Sequence, residues 1–196
     1  MSPDLLRSLV WTDSRLAVLF GVLIPLGLLV WSIVKKAKPI THLLVIYWRV
    51  ASLLAISVYL MLSQTPIGFT TGFVALLLIP VSLWFWIDLN EEIEDRRGLL
   101  KLATNTWRWA LTVYCGVSAL VQVPYLKCGA SKIAIAAPDC QAWLEPSLFY
   151  KALFHASTKG EKLGFIAIMA LVFYGLYLGY FLLVRFAKQG RSATGF

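Results

Sequence analysis

Charge is what this sequence has least of. Its 196 residues hold eighteen lysines and arginines and ten aspartates and glutamates, 14% of the chain, against 59% apolar residues. A soluble domain carries about 25% charged residues, so the deficit excludes an ordinary soluble enzyme and a disordered tail. Three cysteines are too few for a disulfide-built secreted mini-domain. Catalytic signals are missing too. There is no Walker loop, no G-x-S-x-G and no H-E-x-x-H, and the protein is expected not to be an enzyme. No cleavable leader is expected, because Asp4, Arg7, Asp13 and Arg15 cancel and no A-x-A-like site follows the first apolar run.

What is present is long apolar runs. Five of them, at 16–34, 43–62, 67–87, 107–124 and 163–184, contain two charges, Arg49 and Arg108. Each is 18 to 22 residues long, and a bilayer core about 30 Å thick needs roughly 20 residues of helix. A membrane barrel would alternate apolar and polar residues, and the run Val-Ala-Leu-Leu-Leu-Ile-Pro at 74–80 does not. The expected fold is all-α: a single polytopic membrane bundle over 1–196, with five transmembrane helices. Pro25 and Pro80 fall inside spans, as hinges or as shape for packing.

Basic residues orient the bundle. One face collects nine: Lys35, Lys36, Lys38, Arg96, Arg97, Lys101, Arg185, Lys188 and Arg191. The other has Arg7 and Arg15, plus five in the long connection 125–162, which counts less reliably. The C-terminus is therefore expected in the cytoplasm, with the N-terminus and the 125–162 loop outside. That loop carries Cys128 and Cys140. An oxidising compartment permits a bridge between them, worth roughly 3 kcal/mol on the chain-entropy view; two unlinked thiols are the alternative. Cys115, in a span, stays a free thiol. Pro146, followed by Leu148, Phe149, Tyr150, Leu153 and Phe154, predicts a short amphipathic helix, interfacial or folded over the bundle as a lid.

Half of the acidic residues lie at 88–95. If the third span runs on, Leu89 and Ile93 share one of its faces. Arg49 and Arg108 sit near the cytoplasmic level, with Arg49 about 10 Å into its span. Pairing of either with Asp88 or Glu91 is one expectation; snorkelling to lipid phosphate is the other. No metal site is expected, since the acidic run lacks an EF-hand spacing and neither His42 nor His155 lies mid-span. Gly68 and Gly72, and Gly175 and Gly179, are small-xxx-small pairs suited to close helix approach. Tyr174, Tyr177 and Tyr180 form a ridge beside the second pair. These serve packing within the chain or a partner helix. The charge of +8 is spread over both faces and suits anionic lipid; no nucleic acid is expected.

The stretches Tyr-Trp-Arg-Val-Ala-Ser-Leu-Leu-Ala-Ile at 47–56, Pro-Ile-Gly-Phe at 66–69, Ile-Pro-Val-Ser-Leu-Trp-Phe-Trp-Ile-Asp-Leu-Asn-Glu-Glu at 79–92, Trp-Leu-Glu-Pro at 143–146, Phe-His-Ala at 154–156 and the tail at 188–195 stand out together. They resemble a small cyanobacterial integral-membrane protein family of unknown function. The resemblance implies an oxygenic phototroph and hence the thylakoid membrane, with the outside being the lumen. It supplies no catalytic residues. Two classes of function follow. The first is a non-catalytic accessory subunit or assembly factor of a photosynthetic membrane complex, in contact with membrane lipids and other integral membrane proteins. The second is a small transporter or lipid-handling protein built around Arg49, Arg108 and the prolines. No cofactor is expected, while contact with chlorophyll, carotenoid or lipid stays open.

Overall fold

The computed structural model describes residues 3–186, and every regular element among them is helical. α1 (Pro3–Val18) passes through a π turn (Leu19–Leu23) into α2 (Ile24–Val34). Then come α3 (Lys38–Leu62), α4 (Ile67–Trp84), α5 (Ile87–Glu94), α6 (Leu99–Gln122), α7 (Pro138–Phe154) and α8 (Gly160–Tyr180), the last ending in a π turn (Phe181–Phe186). Five helical stretches are long and apolar enough to cross a membrane: Asp4–Val34, Lys38–Leu62, Ile67–Trp84, Leu99–Gly129 and Gly160–Tyr180. They point to an integral membrane protein.

Several boundaries differ from the apolar runs. The first helix begins near residue 4 rather than 16, and the fourth at Leu99 rather than 107. An apolar run marks only the part of a helix that lipid must solvate, and its flanks stay helical wherever they find packing. A 31-residue helix is about 46 Å long at 1.5 Å per residue, well beyond a hydrocarbon core. The third span, in contrast, does not run on. It stops at Trp84, Trp86 is extended, and the acidic segment starts the separate helix α5.

The two tight turns are of one kind. Lys36 and Gln64 adopt positive φ, 50° and 54°, just past the ends of α2 and α3. At the first, Ala37 N–H donates to Ser32 C=O at 2.8 Å and Lys36 N–H to Ile33 C=O at 3.0 Å. At the second, Thr65 N–H reaches Leu60 C=O and Gln64 N–H reaches Met61 C=O, both at 2.9 Å. This paired pattern ties up the last carbonyls of a helix and reverses the chain at once. It makes α3 and α4 an antiparallel hairpin.

Two apolar clusters hold the bundle. One lies toward the end that carries the basic turns 35–37 and 95–98, here the basic end. It gathers Leu43, Leu44, Tyr47, Leu83, Leu89, Ile93, Trp107 and Leu111. Leu89 and Ile93 are fully buried, so α5 presses one edge against the bundle while Glu91, Glu92 and Glu94 stay exposed. The second cluster lies at the opposite, loop end. There Leu6, Val10, Met61 and Phe69 meet Cys128, Cys140, Trp143 and Leu144.

The loop 125–162 is thus a cap rather than a strap. It comprises two short 3-10 turns (Val123–Gly129 and Ala134–Ala136) and α7. The sulfurs of Cys128 and Cys140 are bonded, with Cα atoms 5.7 Å apart, and Cys115 is a free, buried thiol. α7 starts earlier than expected: Pro138 occupies its first turn and Pro146 lies inside it. Its first half is a lid, with Trp143 and Leu144 buried, whereas Phe149, Leu153 and Phe154 stay exposed. Arg7 Nη2 meets Glu145 Oε1 at 2.7 Å, and Trp11 packs edge-on to Phe149 at 5.5 Å. The N-terminal helical extension is therefore pinned to the cap.

Candidate functional site

The most ordered polar chemistry inside the bundle grows from one proline. Pro25 has no N–H, so the carbonyl of Gly21, four residues before it, has no helical donor. The helix answers with the π turn: Ile24 N–H bonds back to Leu19 C=O, which leaves Phe20 C=O without its usual partner as well. Both carbonyls are taken by side chains from other spans. Tyr47 O–H donates to Gly21 C=O at 2.5 Å, and Trp107 Nε1–H donates to Phe20 C=O at 2.9 Å. The two rings meet edge to face, 5.1 Å apart, and both residues are buried. The first, second and fourth spans are clasped there. Neither Tyr47 nor Trp107 stands out in the sequence as a polar partner. The available signal was an in-span proline accompanied by aromatic donors elsewhere.

Arg108 forms a second polar node at the basic end. It is 2% exposed. Its Nη2 donates to Leu83 C=O at 2.6 Å and to Asn90 Oδ1 at 2.5 Å, and its guanidinium stacks over Trp84, 4.0 Å from the ring centre. Leu83 stands in the last turn of α4, where carbonyls lack helical donors. Asn90 Nδ2 donates in turn to Trp84 C=O at 3.1 Å, and Trp84 Nε1 donates to Thr112 Oγ1 at 2.9 Å. The expected carboxylate partner is thus corrected: Arg108 is held by Asn90 and a helix end, not by Asp88 or Glu91. The break after Trp84 is the cause, since it turns α5 so that Asn90 faces the bundle. Arg49, by contrast, is exposed and lines a cleft with Trp86, Tyr174 and Tyr177. Among the described residues it forms no ion pair with Asp88 or Glu91.

A third node corrects the expectation that no spanning helix offers a carboxylate. Asp13 lies within the long first helix, partly buried. Tyr114 O–H donates to its Oδ1 at 3.1 Å, and Ser118 O–H donates to the same oxygen. Both donors come from α6. Asp13 was placed outside the spans because the apolar run begins after it.

The two small-residue pairs part company. A Cβ on Gly68 would stand 3.0 Å from Met61 Cγ, and one on Gly72 would stand 3.4 Å from Ser57 Oγ. That pair serves the α3–α4 hairpin. A Cβ on Gly175 or Gly179 would meet nothing within 4 Å. Tyr177 and Tyr180 beside them are exposed and Tyr174 is half-buried. Lys188 and Arg191 lie outside the described residues. Among the described residues no group of three or more His, Cys, Asp and Glu is placed to hold a metal ion. His155 contacts Tyr59, its Nε2 3.1 Å from the hydroxyl.

No curated protein and no solved structure matches the chain. A family match spans nearly its whole length, residues 7–194. The clasp, the cap and the exposed fifth span all fall within those bounds, and the chain belongs to the family described as Protein of unknown function (DUF3177).

Proposed function

We propose that the protein is a non-catalytic membrane subunit or assembly factor that holds other integral membrane proteins. Its partner is a photosynthetic complex of the cyanobacterial thylakoid, with the N-terminus lumenal and the C-terminus cytoplasmic. The observation that carries the holding role is the outward face of α8. Gly175 and Gly179 open onto space, flanked by exposed Val172, Phe173, Leu176 and Tyr180. Small residues between apolar ridges let a second helix approach closely, and no helix among the described residues uses them. The thylakoid assignment rests on the resemblance of the 47–56, 79–92 and 143–146 stretches. Photo-crosslinking from position 176, followed by mass spectrometry of the products from native membranes, tests both parts. A membrane subunit of a photosynthetic complex is the expected product; lipid adducts alone would reject the holding role.

A second reading, a small transporter or lipid-handling protein, is favoured by the cleft at Arg49 and by the partly buried carboxylate of Asp13 on the first long helix. Solute flux in liposomes that disappears in Arg49→Ala and persists in Gly175→Leu would select it.

A further inference from the structure

The cleft at the basic end lies between α3, α4 and α8, and its volume is about 220 Å³. Ordinary small-molecule sites measure about 300–1,000 Å³, so it admits a stretch of one hydrocarbon chain rather than a whole two-chain lipid. Ile46, Val81 and Phe181 give it apolar walls. Among the described residues one full charge lines it, that of Arg49. Arg49 is exposed on the lipid-crossing part of α3, where an arginine requires an anionic or carbonyl partner. Trp86 supplies an independent observation. It is only 8% exposed, it lines the same cleft, and its indole Nε1–H has no hydrogen-bond partner among the described residues. A buried donor left in this state calls for an acceptor beyond the described residues.

We propose that this cleft is a binding site for one anionic membrane lipid. The head group accepts hydrogen bonds from the Arg49 guanidinium and the Trp86 indole, and one acyl chain lies against Ile46, Val81 and Phe181. A guanidinium fork suits a phosphate or similar oxyanion, and the apolar walls require that the anion carry a tail. The exposed basic turns at the same end raise the local concentration of anionic lipid. The proposal rests on Arg49 and Trp86, not on the partner face at Gly175 and Gly179, although Tyr174 and Tyr177 of α8 also line the cleft.

The test uses the full-length protein, delipidated in mild detergent and titrated with phosphatidylglycerol, phosphatidylcholine or inorganic phosphate. Bound lipid is counted by native mass spectrometry. One phosphatidylglycerol per chain is expected to survive desolvation, at an affinity at least about tenfold above phosphatidylcholine, with no displacement by millimolar phosphate. Arg49→Gln removes a charge-assisted donor and should weaken retention about tenfold or more. Val81→Trp, at an exposed position, fills the cleft without touching either donor and should also lower retention. Equal retention of both lipids, displacement by free phosphate, or full retention in both variants would overturn the proposal. The melting temperature of each variant before lipid is added shows whether it has folded, and Val81→Trp gives a readout should Arg49→Gln fail.

Discussion

At the scale of single residues, the Pro25 clasp makes an unusual prediction about repair. Tyr47→Phe leaves the Gly21 carbonyl buried and unpartnered, which costs about 1–3 kcal/mol in a soluble interior. In membrane bundles such hydrogen bonds are worth about 0.6 kcal/mol on average, and the expected loss lies between these values. Pro25→Ala supplies the missing N–H. The double variant should therefore melt higher than Tyr47→Phe alone. If the two losses add in detergent melts, Tyr47 does not act through that carbonyl. The cap offers a milder case. Lys127 Nζ hydrogen-bonds Asp139 Oδ2 at 2.8 Å and holds its carboxyl below the usual carboxylate range. A depressed folded pKa adds stability above the unfolded value, near 3.9, and loses it as pH falls through the folded one. The pair is exposed, so the effect is small. Lowering pH from 6 to 3 should loosen the cap slightly less in Asp139→Asn than in the native chain, as read by hydrogen exchange at 134–142.

At the scale of elements, the glycine pairs separate packing within the chain from packing available to others. Gly68→Leu has no room beside Met61 and should cost a few kcal/mol, as overpacking does. Gly175→Leu should leave the melting temperature within about a degree of native and change only what the face binds. Comparable destabilisation of the two variants would mean that α8 packs within the bundle on that side. The spans themselves were legible because lipid demands unbroken apolar length, and the Gly68 pair was legible as a pair. Its allegiance was not, since spacing says that helices can approach and not which ones. The same holds for α5. Leu89 and Ile93 announced a buried edge, but nothing local announced the break at Trp86 that lets Asn90, rather than a carboxylate, meet Arg108. Asp13 was hidden by a boundary drawn where the apolar run starts, although the helix begins much earlier and its first turns are paid for by Leu6 and Val10 against the cap.

At the scale of the whole molecule, the proposed orientation rests on nine basic residues assigned to one face of the sequence. Reporter fusions after Lys38 and after Phe196 should both read cytoplasmic; an external signal at either would reverse the proposed placement. The disulfided cap at the far end agrees with an oxidising compartment there. One asymmetry then bears on the order of events during synthesis. The fifth span is the least enclosed of the five, with 17% of its apolar window buried against 50% for the third, and it packs chiefly on α3. It also leaves the ribosome after the other four. By then every residue of the clasp among the first, second and fourth spans, and both cysteines of the cap, have been synthesised. A chain stopped after Phe154 should accordingly insert, close its disulfide and melt cooperatively, while losing whatever the fifth span recruits. If it aggregates instead, α8 is a structural wall; if it folds, the last helix is a handle added to a finished body, and the bundle can mature before its neighbour arrives.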